Sequence, residues 1–221
     1  MQLSRFALFH DAPVMQVAAL ESRLPDFQRQ RGELLYREGE PAKALYLISA
    51  GMLRFERVSA AGQGFIYGIG TPGHAYGELE LVLNTARHAT AVAMGELRGR
   101  LLPLALFNEL YAGEGWFSRN LCTELARSTR LNQSLYRNVL TLAPPVRLAR
   151  ALLWLAGHQQ PESPGESLSL SQEELAHVLG LSRQSINKYL KSWQEQGWID
   201  VGYGSVRVLD LVAMGAISAG T

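Results

Sequence analysis

Short apolar runs separated by glycines make up the chain from about residue 34 to residue 104. The runs are of strand length, and many short strands with turns at near-regular spacing are typical of an antiparallel sandwich or jelly roll. We therefore predict strands at LLY, ALYLI, MLRFERV, GFIYGI and TAVA. The turn glycines expected between them are Gly32, Gly39, Gly51, Gly62, Gly73 and Gly77.

A helical period replaces this pattern after Pro103. Apolar and small polar residues recur at alternating steps of four and three, which is the repeat of a coiled-coil seam. The sequence thus predicts a long dimerisation helix, ended by the prolines at 144 and 145. Packing of this helix onto the β-domain is the alternative, because the seam is short and partly polar. Its positions are Leu121, Leu125, Ser128, Asn132, Leu135, Val139 and Leu142.

Residues 171–193 predict two short amphipathic helices joined by a tight turn. Ser171 and Glu174 match the S-x-x-E capping box of a helix start. Gly180 suits the left-handed end of the first helix, and Ser182 can cap the second. The buried face of the second helix is expected to consist of Ile186, Tyr189, Leu190 and Trp193. Cap, glycine and apolar positions agree on a helix-turn-helix.

The segments around this motif extend it. A helix is expected from Val146 to about Ala156, followed by a polar loop rich in proline and a short strand at 167–170. After Gly197, the sequence WIDV-GYG-SVRVL predicts a hairpin with a glycine-rich tip, which would make the motif a winged helix-turn-helix. The apolar tail from Leu211 predicts no particular role.

Composition and charge narrow the functional class. The 221 residues are enough for two domains, and the formal charge is only +1, so any binding of nucleic acid must come from local charge. The single cysteine, Cys122, excludes an intrachain disulfide and an iron–sulfur cluster held by several thiolates. The sequence shows no secretion signal and no apolar run of about 18 residues, so we expect a cytoplasmic protein without a membrane partner.

The order of these elements resembles the Crp/Fnr family, which includes the cyclic-AMP receptor protein. The resemblance covers nearly the whole chain and rests on SRQSINKYL, GELLYREGE, LYLISAG, and GEL followed by ARHATAVA. It implies an α+β fold with a cyclic-nucleotide-binding β-roll (1–113), a dimerisation helix (114–143) and a winged helix-turn-helix (144–221). It also implies an allosteric homodimer, not an enzyme, that binds a palindromic double-stranded operator and meets RNA polymerase at a promoter.

The candidate base-reading residues lie on the second helix of the motif. Arg183 is expected to bind a guanine edge, Gln184 an adenine edge, and Lys188 a guanine or a phosphate. Gln184 and Lys188 stand where the family more often has Glu and Arg, so the half-site should differ from the commonest one. Further candidate DNA contacts, each of which can instead be a helix cap or a surface polar residue, are Ser171, Gln172, Ser182, Ser185 and Asn187.

A second resemblance is to the phosphate-binding cassette of cyclic-nucleotide domains. It implies that Glu78 accepts the ribose hydroxyl and that Arg87 neutralises the cyclic phosphate of cyclic AMP or cyclic GMP. His88 departs from the usual small hydroxyl residue, and Glu80 adds a negative charge. The alternative is that Glu78 and Arg87 pair with each other in a cassette without its ligand. The candidate ligand contacts are Gly77, Glu78, Leu79, Arg87, His88, Asn132 and Gln133.

Other interpretations of these residues stay open at this point. Asn132 and Gln133 can bind a purine edge, or Asn132 can fix the register of the dimer helix. Haem bound by histidine is a minor alternative effector, with the ligand candidates His10, His74 and His88. His74, Glu78 and His88 are also the residue types of a cupin-like metalloenzyme site, although the usual H-x-H pair is absent.

Overall fold

The computed structural model describes residues 2–59, 62, 64–157, 168 and 170–220. The chain divides into two compact units, Met1–Arg57 with Ile69–Asn132 and Val58–Gly68 with Gln133–Thr221. The fold is of the predicted α+β class, with a β-roll followed by a long helix and a helix-turn-helix. Within the described part of the chain, no helix combines the length and the apolar character needed to cross a membrane.

Two four-stranded sheets form the β-roll. The strands are β1 (Asp26–Arg29), β2 (Leu34–Tyr36), β3 (Ala44–Ala50), β4 (Leu53–Val58), β5 (Gly64–Gly70), β6 (Ala75–Tyr76), β7 (Thr90–Ala93) and β8 (Leu97–Pro103). One sheet has the order β1-β8-β3-β6 and the other β2-β7-β4-β5. Most neighbours in each sheet are distant in sequence, although β4 and β5 follow one another along the chain. This is jelly-roll topology, and the predicted architecture is confirmed.

The predicted turn glycines are confirmed, since all six have a positive φ. Gly51 shows why no other residue serves there: a Cβ atom would lie 2.1 Å from the carbonyl oxygen of Glu96. The prediction omitted β1, β6 and β8. β8 is one of the central strands of its sheet, but its sequence LRGRLLP interrupts the apolar pattern with Arg98 and Arg100.

Helices close one end of the β-roll around an aromatic core. They are α1 (Val14–Glu21), α2 (Glu78–Leu83) and α3 (Leu104–Gly113), preceded by two single 3-10 turns at Leu3–Arg5 and Ala7–Phe9. Phe107 and Phe117 are almost completely buried and meet edge to face, with ring centroids 5.7 Å apart. Leu121 belongs to the same core, so the start of the next helix is anchored to the β-roll by its own apolar residues.

The remaining elements follow the predicted order. They are α4 (Gly115–Thr141), α5 (Pro144–Gly157), α6 (Gln172–Leu179), α7 (Arg183–Glu195), the hairpin β9 (Ile199–Gly202) and β10 (Ser205–Val208), and α8 (Leu211–Ala219). The predicted long helix, helix-turn-helix and wing are therefore confirmed. The predicted loop at 158–166, and Ser167 and Ser169 of the predicted strand, lie outside the described residues. Leu168 forms an isolated bridge with Val206 of β10.

The apolar tail forms a helix that the sequence analysis did not predict. Asp210 caps it, because its carboxylate accepts hydrogen bonds from the backbone N–H groups of Val212 and Ala213, both at 2.9 Å. α8 packs against α5, with Met214 fully buried, and Arg150 donates to the carbonyl oxygen of Ser218 at 2.8 Å. The tail thus completes the core of the second unit.

The start of α6 supports a stability prediction. Ser171 Oγ accepts from the backbone N–H of Glu174 at 3.1 Å, and the Glu174 carboxylate accepts from the N–H of Ser171 at 2.7 Å, which is the predicted capping box. We expect Ser171→Ala to lower the free energy of unfolding by about 1 kcal/mol, because one N–H at the helix start loses its acceptor. Urea unfolding of the full chain, followed by circular dichroism, measures the change.

Ser192→Ala is the matched control for this substitution. Ser192 is exposed on the body of α7 and its hydroxyl caps no helix start, so its removal should change the free energy of unfolding by less than about 0.5 kcal/mol. Equal losses for the two variants would contradict a role of Ser171 as a cap.

Candidate functional site

One face of α7 is buried against the rest of its unit, and the opposite face is therefore held towards the solvent. Ile186, Leu190 and Trp193 are buried, and the ring of Tyr189 packs against that of Trp193 with centroids 6.2 Å apart. This is the predicted i, i+3, i+4, i+7 face. The predicted base-reading residues and their neighbour lie on the exposed face and are Arg183, Gln184, Asn187 and Lys188. The helix therefore presents two cations and two amides to the solvent side of the motif.

The predicted phosphate contacts lie at the two helix starts. Ser182 Oγ accepts from the backbone N–H of Ser185 at 3.1 Å, so it caps α7 as Ser171 caps α6. The hydroxyls of Ser182 and Ser185 also contact each other at 2.9 Å. Gln172 begins α6 and is partly buried. A hydroxyl that accepts an N–H keeps its own hydrogen to donate, and one of the two hydrogens of Ser182 and Ser185 is used in their mutual contact. Ser171 and one hydroxyl of the Ser182–Ser185 pair can therefore still donate to a phosphate oxygen.

Arg147 is a positioning residue that the sequence analysis missed. It lies in the first turns of α5, and its Nη1 donates to the carbonyl oxygen of Leu179 at 2.9 Å. Leu179 is the last residue of α6, whose carbonyl groups lack helical partners. The side chain thus connects α5 with the turn of the helix-turn-helix. No sequence motif indicates this contact, because it spans 32 residues.

The cassette arginine points into the β-roll. Arg87 is 2% exposed, and its Nη1 donates to the carbonyl oxygen of Gly77 and to the Glu80 carboxylate, both at 2.9 Å. Its Nη2 donates to the carbonyl oxygen of Ala44, and the guanidinium lies 4.2 Å from the ring centroid of Tyr36. Both terminal nitrogens of the guanidinium are therefore hydrogen-bonded inside the protein.

Gly77 makes room for this arginine. Its φ is 90°, a conformation that favours glycine, and a Cβ atom at this position would lie 2.3 Å from Arg87 Nη1. Gly77, one of the candidate ligand contacts, thus leaves space that the chain's own guanidinium fills.

Glu80, and not Glu78, is the partner of Arg87. Glu80 is 2% exposed, one of its oxygens accepts from Arg87, and the other contacts His88 Nδ1. Burial alone would raise the pKa of Glu80, but the hydrogen bonds from His88 and Arg87 outweigh it and lower that pKa. The expected alternative, in which Glu78 pairs with Arg87, is wrong in its choice of carboxylate.

Glu78 has a different environment. It is partly buried, and burial raises the pKa of its carboxyl group to about 7, with the negative charge of Glu80 acting in the same direction. The positive charges of Arg87 and His88 act in the opposite direction. Leu79, its neighbour in α2, is exposed. The fold therefore raises the pKa of Glu78 and lowers that of Glu80.

In this arrangement the cassette does not fit a cyclic phosphate. A phosphate needs a cation whose charge is not already neutralised and whose donors are accessible. Arg87 is buried, paired with Glu80 and bonded to two carbonyl oxygens. Within the described residues only its Nε has no acceptor, and that atom is buried as well.

The seam of α4 divides into two parts. Leu121 is buried in the core of the β-roll and Leu125 packs against that core, so these two positions follow the alternative prediction of packing onto the β-domain. Beyond them, Asn132, Gln133, Leu135 and Val139 are exposed. Apolar side chains exposed on this later part of the helix are Leu131, Leu135, Tyr136, Val139 and Leu140.

The histidines considered as metal or haem ligands contact separate carboxylates. His10 pairs with Asp11 at 3.0 Å, His74 lies 3.8 Å from Glu124, and His88 contacts Glu80. In the part of the chain that is described, no three His, Cys, Asp or Glu side chains converge on a point where a metal ion would bind. The cupin-like arrangement of His74, Glu78 and His88 is therefore not formed.

Comparison with known proteins defines the class of both units. Residues 27–114 match the cyclic nucleotide-binding domain, and residues 146–217 match the Crp-like helix-turn-helix domain. A regulator with a cyclic-nucleotide-binding domain and a DNA-binding helix-turn-helix is thus the class that the fold and its sites define. The chain belongs to the Crp/Fnr family of transcription regulators.

Several relatives match over most of their length. A CRP-like cAMP-activated global transcriptional regulator of Mycobacterium tuberculosis is 29% identical over 94% of both chains. The transcriptional regulator LdrP of Thermus thermophilus is 30% identical over 83% of this chain and 92% of its own. A crystal structure of a CRP-family regulator from Thermus thermophilus superposes with a TM-score of 0.72 and 28% identity, covering 87% of this chain and 96% of that one.

The pKa of Glu78 gives a prediction on stability and pH. The folded state binds the proton of this carboxyl group more tightly than the unfolded state. The free energy of unfolding therefore falls as pH rises from about 4.5 to about 7. We expect Glu78→Gln to raise the free energy of unfolding on the order of 1 to 3 kcal/mol at about pH 8. Because the side chain is only partly buried, solvent screening favours the lower part of this range.

Urea unfolding at about pH 4 and about pH 8 checks this expectation, since the gain should vanish at the lower pH. Glu109→Gln is the control, because Glu109 is exposed, pairs with Arg23 at the surface and has a lowered pKa. It should show no gain at the higher pH. An effect of Glu78→Gln that is the same at both pH values would mean that this carboxyl group titrates normally.

Proposed function

We propose that the protein acts as a homodimer that binds a palindromic double-stranded operator through α7 of each protomer. The observation on which this rests is the geometry of α7, whose apolar face is buried while Arg183, Gln184 and Lys188 lie together on the exposed face. A helix held in this way can enter the major groove without rearrangement. From Ser182 to Ser192 the sequence contains no acidic residue, so nothing on this stretch repels phosphate.

Each base-reading residue has a separate proposed partner. Arg183 donates two hydrogen bonds to O6 and N7 of guanine, Gln184 binds an adenine edge, and Lys188 binds guanine or a phosphate. The side chains at the helix starts position the motif by contacting phosphates, and these are Ser171, Gln172, Ser182 and Ser185. Asn187 serves in either role. The half-site centres are then about one helical turn of DNA apart.

The later part of α4 is the proposed dimer interface. Leu135, Tyr136 and Leu140 are between 50% and 68% exposed in the single chain. A cluster of large apolar side chains on one helix is typical of a protein–protein contact, and the family relationship supports a second copy as the partner. Because Leu121 and Leu125 pack within their own chain, the intermolecular seam begins after them. Asn132 then either fixes its register or, with Gln133, contacts a ligand.

The proposed functions of the three parts of the chain follow the predicted domain boundaries. Residues 1–113 form the sensor, 114–143 the dimerisation helix and 144–221 the DNA-binding domain. The relatives are transcription regulators, which supports a regulator without enzymatic activity that meets RNA polymerase at its promoters. Coupling of about 1 to 3 kcal/mol between sensor and DNA-binding domain is sufficient for control.

The domain family and the burial of Arg87 favour different effectors. The domain family favours cyclic AMP or cyclic GMP, and one relative is named for activation by cAMP. The internal pairing of Arg87 opposes both nucleotides, because a buried and neutralised guanidinium offers little to a phosphate. Another ligand without a phosphate, or no ligand, fits this arrangement better than an anion does.

Substitution of Arg183 tests the DNA-binding proposal. We expect Arg183→Ala to weaken binding to the selected operator by about 1 to 3 kcal/mol and to relax the preference at one base pair of each half-site. Operators are selected from a random duplex library, and affinities are measured by fluorescence anisotropy at fixed salt concentration.

Lys191→Ala is the matched control, because Lys191 is an exposed cation on the same helix that lies 4.0 Å from Glu195. Lys191→Ala should weaken specific and non-specific binding equally, and by less than Arg183→Ala weakens specific binding. The preferred sequence should not change. An unchanged preference in Arg183→Ala would remove this residue from the base readers, and failure to select any palindrome would contradict the proposed function itself.

Substitution on α4 tests the dimer. We expect Leu135→Asp to shift the protein from dimer to monomer in sedimentation velocity, because it places a charge in an apolar interface. Arg137→Asp introduces the same side chain two residues away, on the other side of the helix, and should leave the dimer intact. Dimers that withstand the first substitution would place the interface elsewhere on the chain.

A further inference from the structure

Glu80 and Arg87 form a buried ion pair inside the cassette. Both side chains are 2% exposed, and the distance from Arg87 Nη1 to the Glu80 carboxylate is 2.9 Å. A buried carboxylate and a buried guanidinium at this distance neutralise each other, and separating them would leave two unpaired charges inside the protein. The pair is therefore a stable internal unit.

The surroundings hold this unit in place. Arg87 also donates to the carbonyl oxygens of Gly77 and Ala44 and lies over the ring of Tyr36. The second oxygen of Glu80 contacts His88 Nδ1, so both oxygens of the carboxylate have partners. Turning Arg87 outward would break its contacts with Gly77, Ala44 and Tyr36 together with its bond to Glu80.

A phosphate at this place would meet a second anion. The carboxylate of Glu80 already occupies the guanidinium edge that an anionic ligand would need, and two negative charges beside one cation repel each other. Burial is the main cause of the raised pKa of Glu78, and the negative charge of Glu80 acts in the same direction.

We propose that Glu80 is an internal counter-ion, which takes the place of a ligand anion on Arg87 and prevents the unmodified β-roll from binding cyclic nucleotides. The inference rests on the proposed regulator function and specifies its sensor: the DNA-binding activity of this chain does not depend on a cyclic nucleotide. Glu80 is thus the residue that determines ligand specificity in the cassette.

Removal of the carboxylate is the direct test. Unmodified protein, Glu80→Gln and Glu80→Ala are melted without DNA, in the absence and presence of millimolar cyclic AMP or cyclic GMP. We expect no rise in Tm for the unmodified chain and a rise of several degrees for a variant whose Arg87 has been released. Titration calorimetry should show an affinity at least about tenfold above that of the unmodified protein.

Two further variants separate a specific site from general anion binding. Glu80→Gln combined with Arg87→Gln should lose the acquired binding, because the released cation is gone. Glu109→Gln removes a carboxylate from an exposed ion pair with Arg23 and should acquire none. The alanine variant provides the test if the glutamine variant fails to fold, since alanine suits a helix and leaves space beside Arg87.

Each outcome decides the inference. A rise in Tm of the unmodified protein with either nucleotide overturns it, whatever the variants do. Folded Glu80 variants that still bind no cyclic nucleotide also overturn it, because the carboxylate is then not what prevents binding. Operator binding by the unmodified chain is measured separately, by fluorescence anisotropy without nucleotide. Its loss would contradict the proposed function, whereas operator binding that required added nucleotide would contradict this inference alone.

Discussion

The buried guanidinium of Arg87 is the constraint on which the cassette end of the β-roll depends. A guanidinium removed from water is stable only when a counter-ion and several acceptors surround it. Its partners belong to elements far apart in sequence: Tyr36 ends β2, Ala44 begins β3, and Glu80 lies in α2. β2 and β3 belong to different sheets. One side chain therefore connects strands of both sheets with α2, and an external anion would have to compete with these contacts.

The cations of the helix-turn-helix are exposed, whereas the Arg87–Glu80 pair of the cassette is buried. The cations of α7 are exposed, while apolar contacts of Ile186, Leu190 and Trp193 fix the helix. Exposed cations have almost no desolvation penalty in the free protein. When such cations replace counter-ions on DNA, the release of those ions favours binding. In the proposed DNA complex, the buried face fixes the position of α7 and the exposed cations supply affinity for DNA. In the cassette, where the charges are buried, the same residue types mainly stabilise the fold.

Local patterns predicted much of the fold correctly. Turn glycines, capping residues and apolar periodicity act within a few residues of each other, so the sequence alone indicates the capping box of α6 and the cap of α7. Elements whose pattern depends on distant partners were missed. β8 has arginines within its apolar run, and α8 is apolar on all sides, so neither shows a clear period. Both are stabilised by the elements against which they pack.

The sequence by itself determined the family, the order of the elements and the exposed residues of α7, because each depends on short-range spacing. Tertiary structure decided which carboxylate of the cassette meets Arg87. Glu78 and Glu80 are two residues apart, and on a helix this separation turns their side chains about 200° from each other. Only the packing of α2 against the sheets selects the carboxylate that points inward. That choice places Glu80 on Arg87 and leaves Glu78 partly exposed, whereas the resemblance assigns Arg87 to a ligand phosphate.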